Sequence, residues 1–329
     1  MSALAPTLEA FFTERLLRQR DASPHTVSAY RDTMRLLLRF TQRRTRRQPS
    51  ELDLADLDAP LVASFLDHLE EERGNSVRTR NARLAAIHSL FRYAALRHPE
   101  HAALIGRVLA IPPKRFDRAL VSFLSEPEID ALLASPERST WTGRRDYALL
   151  LLALETGLRA SELTGLVCGD VHLGVGAHVS CRGKGRKERV TPLARPTQAV
   201  LRAWLCERDA EAPEPLFPTR QGRRLSRDAL ERRLAKHVLS AAGRAPTLGE
   251  KKVTLHVLRH TAAMRLLQAG VDTSVIALWL GHESVETTQI YLHADLALKE
   301  RALSRTTPPN SSPGRYRPPD SMLAFLEAL

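Results

Sequence analysis

The chain holds 329 residues, 43% of them hydrophobic, which is material for two globular domains at about 100–200 residues each. Lys and Arg number 49 against 37 Asp and Glu, a net charge of +12 whose field attracts polyanions such as nucleic acid or anionic membrane. The longest apolar stretch, Tyr147 to Leu154, falls far short of the roughly 20 residues of a spanning helix, and Met1 to Phe12 has neither the basic leader nor the apolar core of a secretory signal. A cytoplasmic protein with no membrane partner is expected. Cys168, Cys181 and Cys206 form no close pair and read as reduced structural thiols rather than a disulfide framework or a zinc ribbon. Aromatic residues at 5% are sparse for stacking the bases of a single strand, so duplex binding through phosphates fits better. Only seven of the 49 basic residues are lysine, so a retained lysine is worth following, although codon bias gives the same skew.

The first third shows helical periodicity in four blocks, Leu8 to Arg18, Pro24 to about Arg43, Pro60 to Glu71 and Ser76 to Leu96. Ser23-Pro24 supplies an N-cap followed by proline at the first helical position, and the second block ends in the run Arg43 to Arg47. Ile111-Pro112-Pro113-Lys114-Arg115 excludes helix and marks a boundary. Beyond it, Ser125-Glu126-Pro127-Glu128 opens a helix with acidic residues in its first turn, and Arg145 to Leu154 forms an apolar helix closed by Gly157. Strand material is confined to Val171–Leu173, His178–Arg182 and Glu188–Leu193, with Gly183-Lys184-Gly185 turning between the last two. Helices resume from Pro196. The expected fold class is mainly α with a small antiparallel β-sheet: an all-helical domain over 1–110, a linker over 111–118, an α+β domain over 119–303, and a flexible tail over 304–329 with a short terminal helix.

Four features of the second domain carry chemical potential. Thr156-Gly157-Leu158-Arg159 turns sharply before a new helix and presents Arg159, whose planar guanidinium suits a phosphate; the plain alternative is a surface arginine paired with Glu162. Arg182 to Arg189 is a hairpin tip with five basic residues, either a phosphate contact or a solvated turn; it lacks the Walker spacing of a P-loop. His256 and Arg259 share a helix face at spacing three, and His256 and His260 at spacing four. A zinc site is disfavoured because Val257 stands where the metalloprotease motif has Glu, and no third ligand is evident. His260 is compatible with a structural role. Gly281 ends one helix before His282, nine residues ahead of Tyr291, which alone would read as a packing residue.

Taken as an ordered set, Arg159, Lys184, His256, Arg259, His282 and Tyr291 resemble the signature of the tyrosine recombinases, also called phage integrases. Glu162 falls at that family's supporting acidic position, and the resemblance covers nearly the whole chain, since Ser23 to Phe40 looks like part of its amino-terminal core-binding, SAM-like domain. The resemblance implies a site-specific recombinase, active at the nucleoid, that cleaves and rejoins duplex DNA through a 3′-phosphotyrosine on Tyr291. Arg159 and Arg259 would then clamp the phosphate, and His256 and His282 would hydrogen-bond it. His256 would also be a candidate acceptor of the Tyr291 proton, and Lys184 would protonate the leaving 5′ oxygen. No cofactor and no metal are expected. Arg43, Arg44, Arg78, Arg80, Arg83, Arg186 and Lys187 are candidate DNA contacts, with a solvated helix face the alternative for any one of them. The resemblance further implies a tetramer on two DNA sites, of one chain or with a partner recombinase. The apolar end of the tail, including Met322 and Phe325, would dock on a neighbour or fold back on its own domain. About 20 residues before Pro24 leave no room for a separate arm-binding domain, which favours a simple Xer-like or transposon-type subclass. A type IB topoisomerase-like enzyme and a catalytically silent DNA-binding relative are the competing readings.

Overall fold

The computed structural model describes residues 4–116, 121–182, 188–209, 211–281, 288 and 291. The chain divides into two compact units, Met1–Ala119 and Leu120–Leu329.

The first unit is all-helical. Helix α1 (Leu4–Ala10) runs into a wider π-type segment, Phe11–Gln19, followed by α2 (Pro24–Thr45), α3 (Ala59–Glu71), α4 (Val77–Ala95) and α5 (Ala102–Leu109). Starts are set by side-chain caps: Ser23 accepts from the Thr26 amide at 3.3 Å, Asp58 from Leu61 at 2.9 Å and Ser76 from Thr79 at 3.3 Å. Two features depart from the periodicity. The first block begins at Leu4 and widens, with the Arg20 amide reaching back five residues to the Arg15 carbonyl. Helix α5 was not expected, because Gly106 breaks its apolar pattern, yet Ile105 and Val108 are buried in the core beside Phe65, Ile87 and Phe91. The prolyl segment is clipped to α4, with the Asn81 side chain bonded to both the amide and the carbonyl of Lys114 at 3.1 and 2.8 Å.

In the second unit, α6 (Glu126–Leu133) starts on a capping box in which Glu128 accepts from the Ser125 amide at 2.8 Å. Helix α7 (Trp141–Thr156) follows, then the short α8 (Ala160–Gly165) and strands β1 (Val171–His172), β2 (His178–Arg182) and β3 (Glu188–Pro192). The strands form one antiparallel sheet in chain order, with Val179 opposite Thr191 and Arg182 opposite Glu188. Helices α9 (Arg195–Arg208), α10 (Arg227–Ala242), α11 (Thr247–Glu250), α12 (Leu255–Gln268) and α13 (Thr273–Leu280) complete the described part. Helix α7 is the spine, packed on both α9 and α12, which is why its sequence is apolar nearly all round. Burying Leu149, Leu150, Leu152 and Leu154 contributes about 1.5–3 kcal/mol each.

A buried charge cluster fastens α10 to this spine. Asp146 accepts from Arg145 at 2.7 Å, Arg233 at 2.8 Å and His237 at 3.0 Å, while Arg145, with 0% exposure, also donates to the Pro218 carbonyl at 2.6 Å. Burial pushes the Asp146 carboxyl up, but the His237 and Arg145 contacts win and hold it below its ordinary value. No helix among the described residues is long and apolar enough to cross a membrane.

Candidate active site

Two helix ends create the site. Helices α7 and α13 both stop at a glycine in the left-handed conformation, Gly157 at φ +62° and Gly281 at φ +64°. At Gly157 a Cβ would come within 2.6 Å of the Leu280 side chain, which would have to shift, and at Gly281 within 3.0 Å of the Arg189 guanidinium, while the left-handed backbone strains any other residue at both places. Arg259, projecting from α12, donates to the Gly157 carbonyl and to the Leu280 carbonyl, each at 2.7 Å. Arg159, at the start of α8, donates to the next carbonyl, Gly281, at 2.9 Å. Two arginines separated by a hundred positions in sequence thus meet at consecutive carbonyls.

Glu162 organises the cluster. Its carboxylate, on a residue only 6% exposed, accepts from the Arg159 amide at 2.7 Å, the Arg159 guanidinium at 2.8 Å and the Arg189 guanidinium at 2.7 Å. Arg189 was contained in the basic hairpin run but not singled out. It points inward from β3 and also donates to the Trp279 carbonyl at 3.0 Å and to Cys181 Sγ at 3.1 Å. The signal for it was strand alternation: Arg189 pairs across the ladder with the buried Cys181. Arg159 pairs with Glu162, as the plain alternative has it, and keeps a third of its side chain exposed.

Among the described residues, one carboxylate, Glu162, faces three guanidinium groups, those of Arg159, Arg189 and Arg259. Burial pulls Arg259 down to about 10, with repulsion from Arg159 and Arg189 adding to it. Tyr291 lies 1% exposed in an apolar cluster with Ala263, Met264, Leu267, Ile276 and Leu280. Burial pushes its hydroxyl up to about 12, against the pull of Arg259 and Arg159. The Tyr291 hydroxyl sits 3.0 Å from His260 Nδ1, and the His256 ring meets His260 edge-on with centroids 4.1 Å apart. Among the described residues, His260, compatible in sequence with a structural role, is hydrogen-bonded to the tyrosine. Lys184, Arg186, Lys187, His282 and the tail lie outside the described residues.

The basic residues of the first unit divide. Arg43, Arg44 and Arg78 are exposed and Arg83 is half-buried. Arg80 departs from the expectation of a DNA contact: it is 5% exposed, donates to Asn81 at 3.1 Å and to the Pro112 carbonyl at 3.4 Å, and lies 3.6 Å from Glu70. It is turned inward because it sits on the face of α4 that receives the prolyl segment.

Residues 122–297 match the phage integrase family, and residues 10–98 match the phage integrase N-terminal SAM-like domain. The protein y4rC of Sinorhizobium fredii (strain NBRC 101917 / NGR234), named as an integrase/recombinase, is 59% identical over 328 residues, covering 100% of this chain and 99% of that protein. Tyrosine recombinase XerC of Pseudomonas fluorescens is 32% identical over 286 residues, 86% of this chain and 90% of that one. The crystal structure of the XerH site-specific recombinase bound to its difH substrate, a pre-cleavage complex, is similar at a TM-score of 0.63 and 25% identity, over 87% of this chain and 81% of that chain. The chain belongs to the phage integrase family and is a site-specific tyrosine recombinase.

Proposed function

We propose that this recombinase cleaves duplex DNA by attack of the Tyr291 hydroxyl on a backbone phosphorus, leaving a 3′-phosphotyrosine and a free 5′-hydroxyl. The observation that carries this reading is the convergence of Arg159 and Arg259 on the carbonyls of Leu280 and Gly281, with Glu162 the one carboxylate bonded to the cluster among the described residues. Charge accumulates on the phosphoryl oxygens in the transition state, and cations fixed beforehand stabilise it without reorganising. Arg159, one-third exposed, contacts the phosphate directly, and Arg259 supports it from behind. Lys184 protonates the departing 5′ oxygen, and His256 and His282 donate hydrogen bonds to the phosphate. Because the phosphotyrosine conserves the energy of the broken ester, resealing needs no ATP.

The remaining assignments follow from the same reading. Residues 1–110 grip one side of the duplex, 111–118 link, and 119–303 carry the chemistry. Arg43, Arg44, Arg78 and Arg83, with Arg186 and Lys187 at the hairpin, contact phosphates or grooves. Four protomers, of this chain or with a partner recombinase, exchange strands between two sites, and the tail over 304–329 docks within or between them. The test is capture of covalent protein–DNA adducts from cells under denaturing conditions, with Tyr291→Phe alongside and the attached DNA sequenced. Adducts that concentrate at one inverted-repeat site and vanish in the variant are expected. Adducts scattered over the genome would mean topoisomerase-like action, and adducts that survive in Tyr291→Phe would refute the nucleophile.

A further inference from the structure

We infer that His260 is a catalytic residue that accepts the proton of the Tyr291 hydroxyl as the nucleophile attacks. The inference rests on Tyr291 being that nucleophile. The Tyr291 phenol is 1% exposed, so the group hydrogen-bonded to it is better placed than bulk water to take its proton. Arg259 and Arg159, which stabilise the phenolate electrostatically, are donors only and cannot serve. His260 Nδ1 lies 3.0 Å from the hydroxyl oxygen, within the range a general base needs, and the two rings meet edge-on with centroids 5.4 Å apart. In the tautomer with its hydrogen on Nε2, Nδ1 accepts from the tyrosine.

Helix geometry explains how neighbouring residues divide the work. Arg259 and His260 are successive on α12 and so point about 100° apart, Arg259 to the carbonyls of Gly157 and Leu280 and His260 to Tyr291. His260 is half-buried, and against it lies the exposed ring of His256, one turn earlier on the same face. The histidine pair therefore spans from the buried phenol to solvent. In the forward step the Tyr291 oxygen–phosphorus bond forms, the bond from phosphorus to the 5′ oxygen breaks, the tyrosine proton moves to His260, and Lys184 supplies the proton of the new 5′-hydroxyl. Resealing runs the same transfers backwards.

The experiment uses full-length protein on a nicked suicide duplex carrying the site recovered by adduct capture, comparing wild type, Tyr291→Phe, His260→Ala and His260→Asn. We expect duplex affinity within about twofold of wild type and single-turnover adduct formation slower by about 10²–10⁴-fold in both His260 variants. Added imidazole should restore His260→Ala at least tenfold, a readout that a packing role would not move. Wild-type rates in the variants, or a loss that imidazole does not restore, would overturn the inference. Wild-type protein that forms no Tyr291-dependent adduct would instead overturn the nucleophile assignment, and this inference with it.

Discussion

Glu162 is the one anion bonded to the arginine cluster among the described residues, and its charge can be removed with little change of shape by Glu162→Gln. The carboxylate accepts three hydrogen bonds of 2.7–2.8 Å from Arg159 and Arg189. Glutamine can accept on one side only and turns an amide donor toward the second guanidinium. Breaking a buried ion pair on one side costs about 3–5 kcal/mol, and the third of the Arg159 side chain that water reaches places the loss near about 3 kcal/mol. At about 2–4 °C per kcal/mol for a unit of this size, the transition of Leu120–Leu329 should fall by about 6–12 °C. Differential scanning calorimetry would read it, with the transition of Met1–Ala119 as an internal reference that should stay in place. Suicide-substrate cleavage should fall with it, because Arg159 loses the partner that aims it. A shift below about 2 °C in the second transition, or equal shifts in both, would refute the view that Glu162 holds the cluster together.

Other expectations follow from the same structure. The Tyr291 hydroxyl is raised in the folded state, so its contribution to stability is complete below about pH 10 and is lost as pH rises toward about 12. The shift corresponds to about 3 kcal/mol at most, and urea unfolding at pH 9 and 11.5 should show wild type losing more than Tyr291→Phe. Gly157→Ala forces a left-handed alanine at about 1–2 kcal/mol and drives its Cβ into Leu280. Lower stability together with slower cleavage is expected, since the Leu280 carbonyl holds Arg259. Asp146→Ala strands the fully buried Arg145 and should cost about 3–5 kcal/mol in denaturant titrations without changing duplex affinity. Log affinity for duplex should fall with log salt at about −0.9 per phosphate contacted, and Arg78→Ala should reduce the slope by about one contact; fluorescence anisotropy across a salt series checks both.

Local signals made most of the fold legible. Ser23, Ser76 and the Ser125/Glu128 pair marked helix starts that the structure places within a residue, and Gly157 marked the end of α7. These positions act through contacts of three or four residues, which a sequence displays directly. What it hid were choices made by distant partners. Arg78 and Arg80 both lie near the start of α4, and it is distant partners, Glu70 and the Pro112 carbonyl 32 positions away, that Arg80 turns inward to meet. Arg189 was one arginine among several in a basic run, and its inward role depends on Glu162 and Trp279. His256 and His260 share a helix face, so spacing cannot say which of them meets Tyr291. Lys184 and His282 are legible only by their place in the ordered set.

The hold on Arg259 by the carbonyls of Gly157 and Leu280 has a consequence for how an anion enters. Those carbonyls are the ends of α7 and α13, where aligned peptide dipoles leave a fractional negative charge. Peptide oxygens do not take up protons at any working pH, and they do not compete as full counter-ions would. A phosphate held by Arg159 therefore has behind it a guanidinium whose direction is set and which, among the described residues, is hydrogen-bonded to carbonyls rather than to a carboxylate. Lysine at the same place would keep the charge and lose the fork that ties one helix end to the other. The strut and the electrostatic element are one side chain, so damage to either function should register in both.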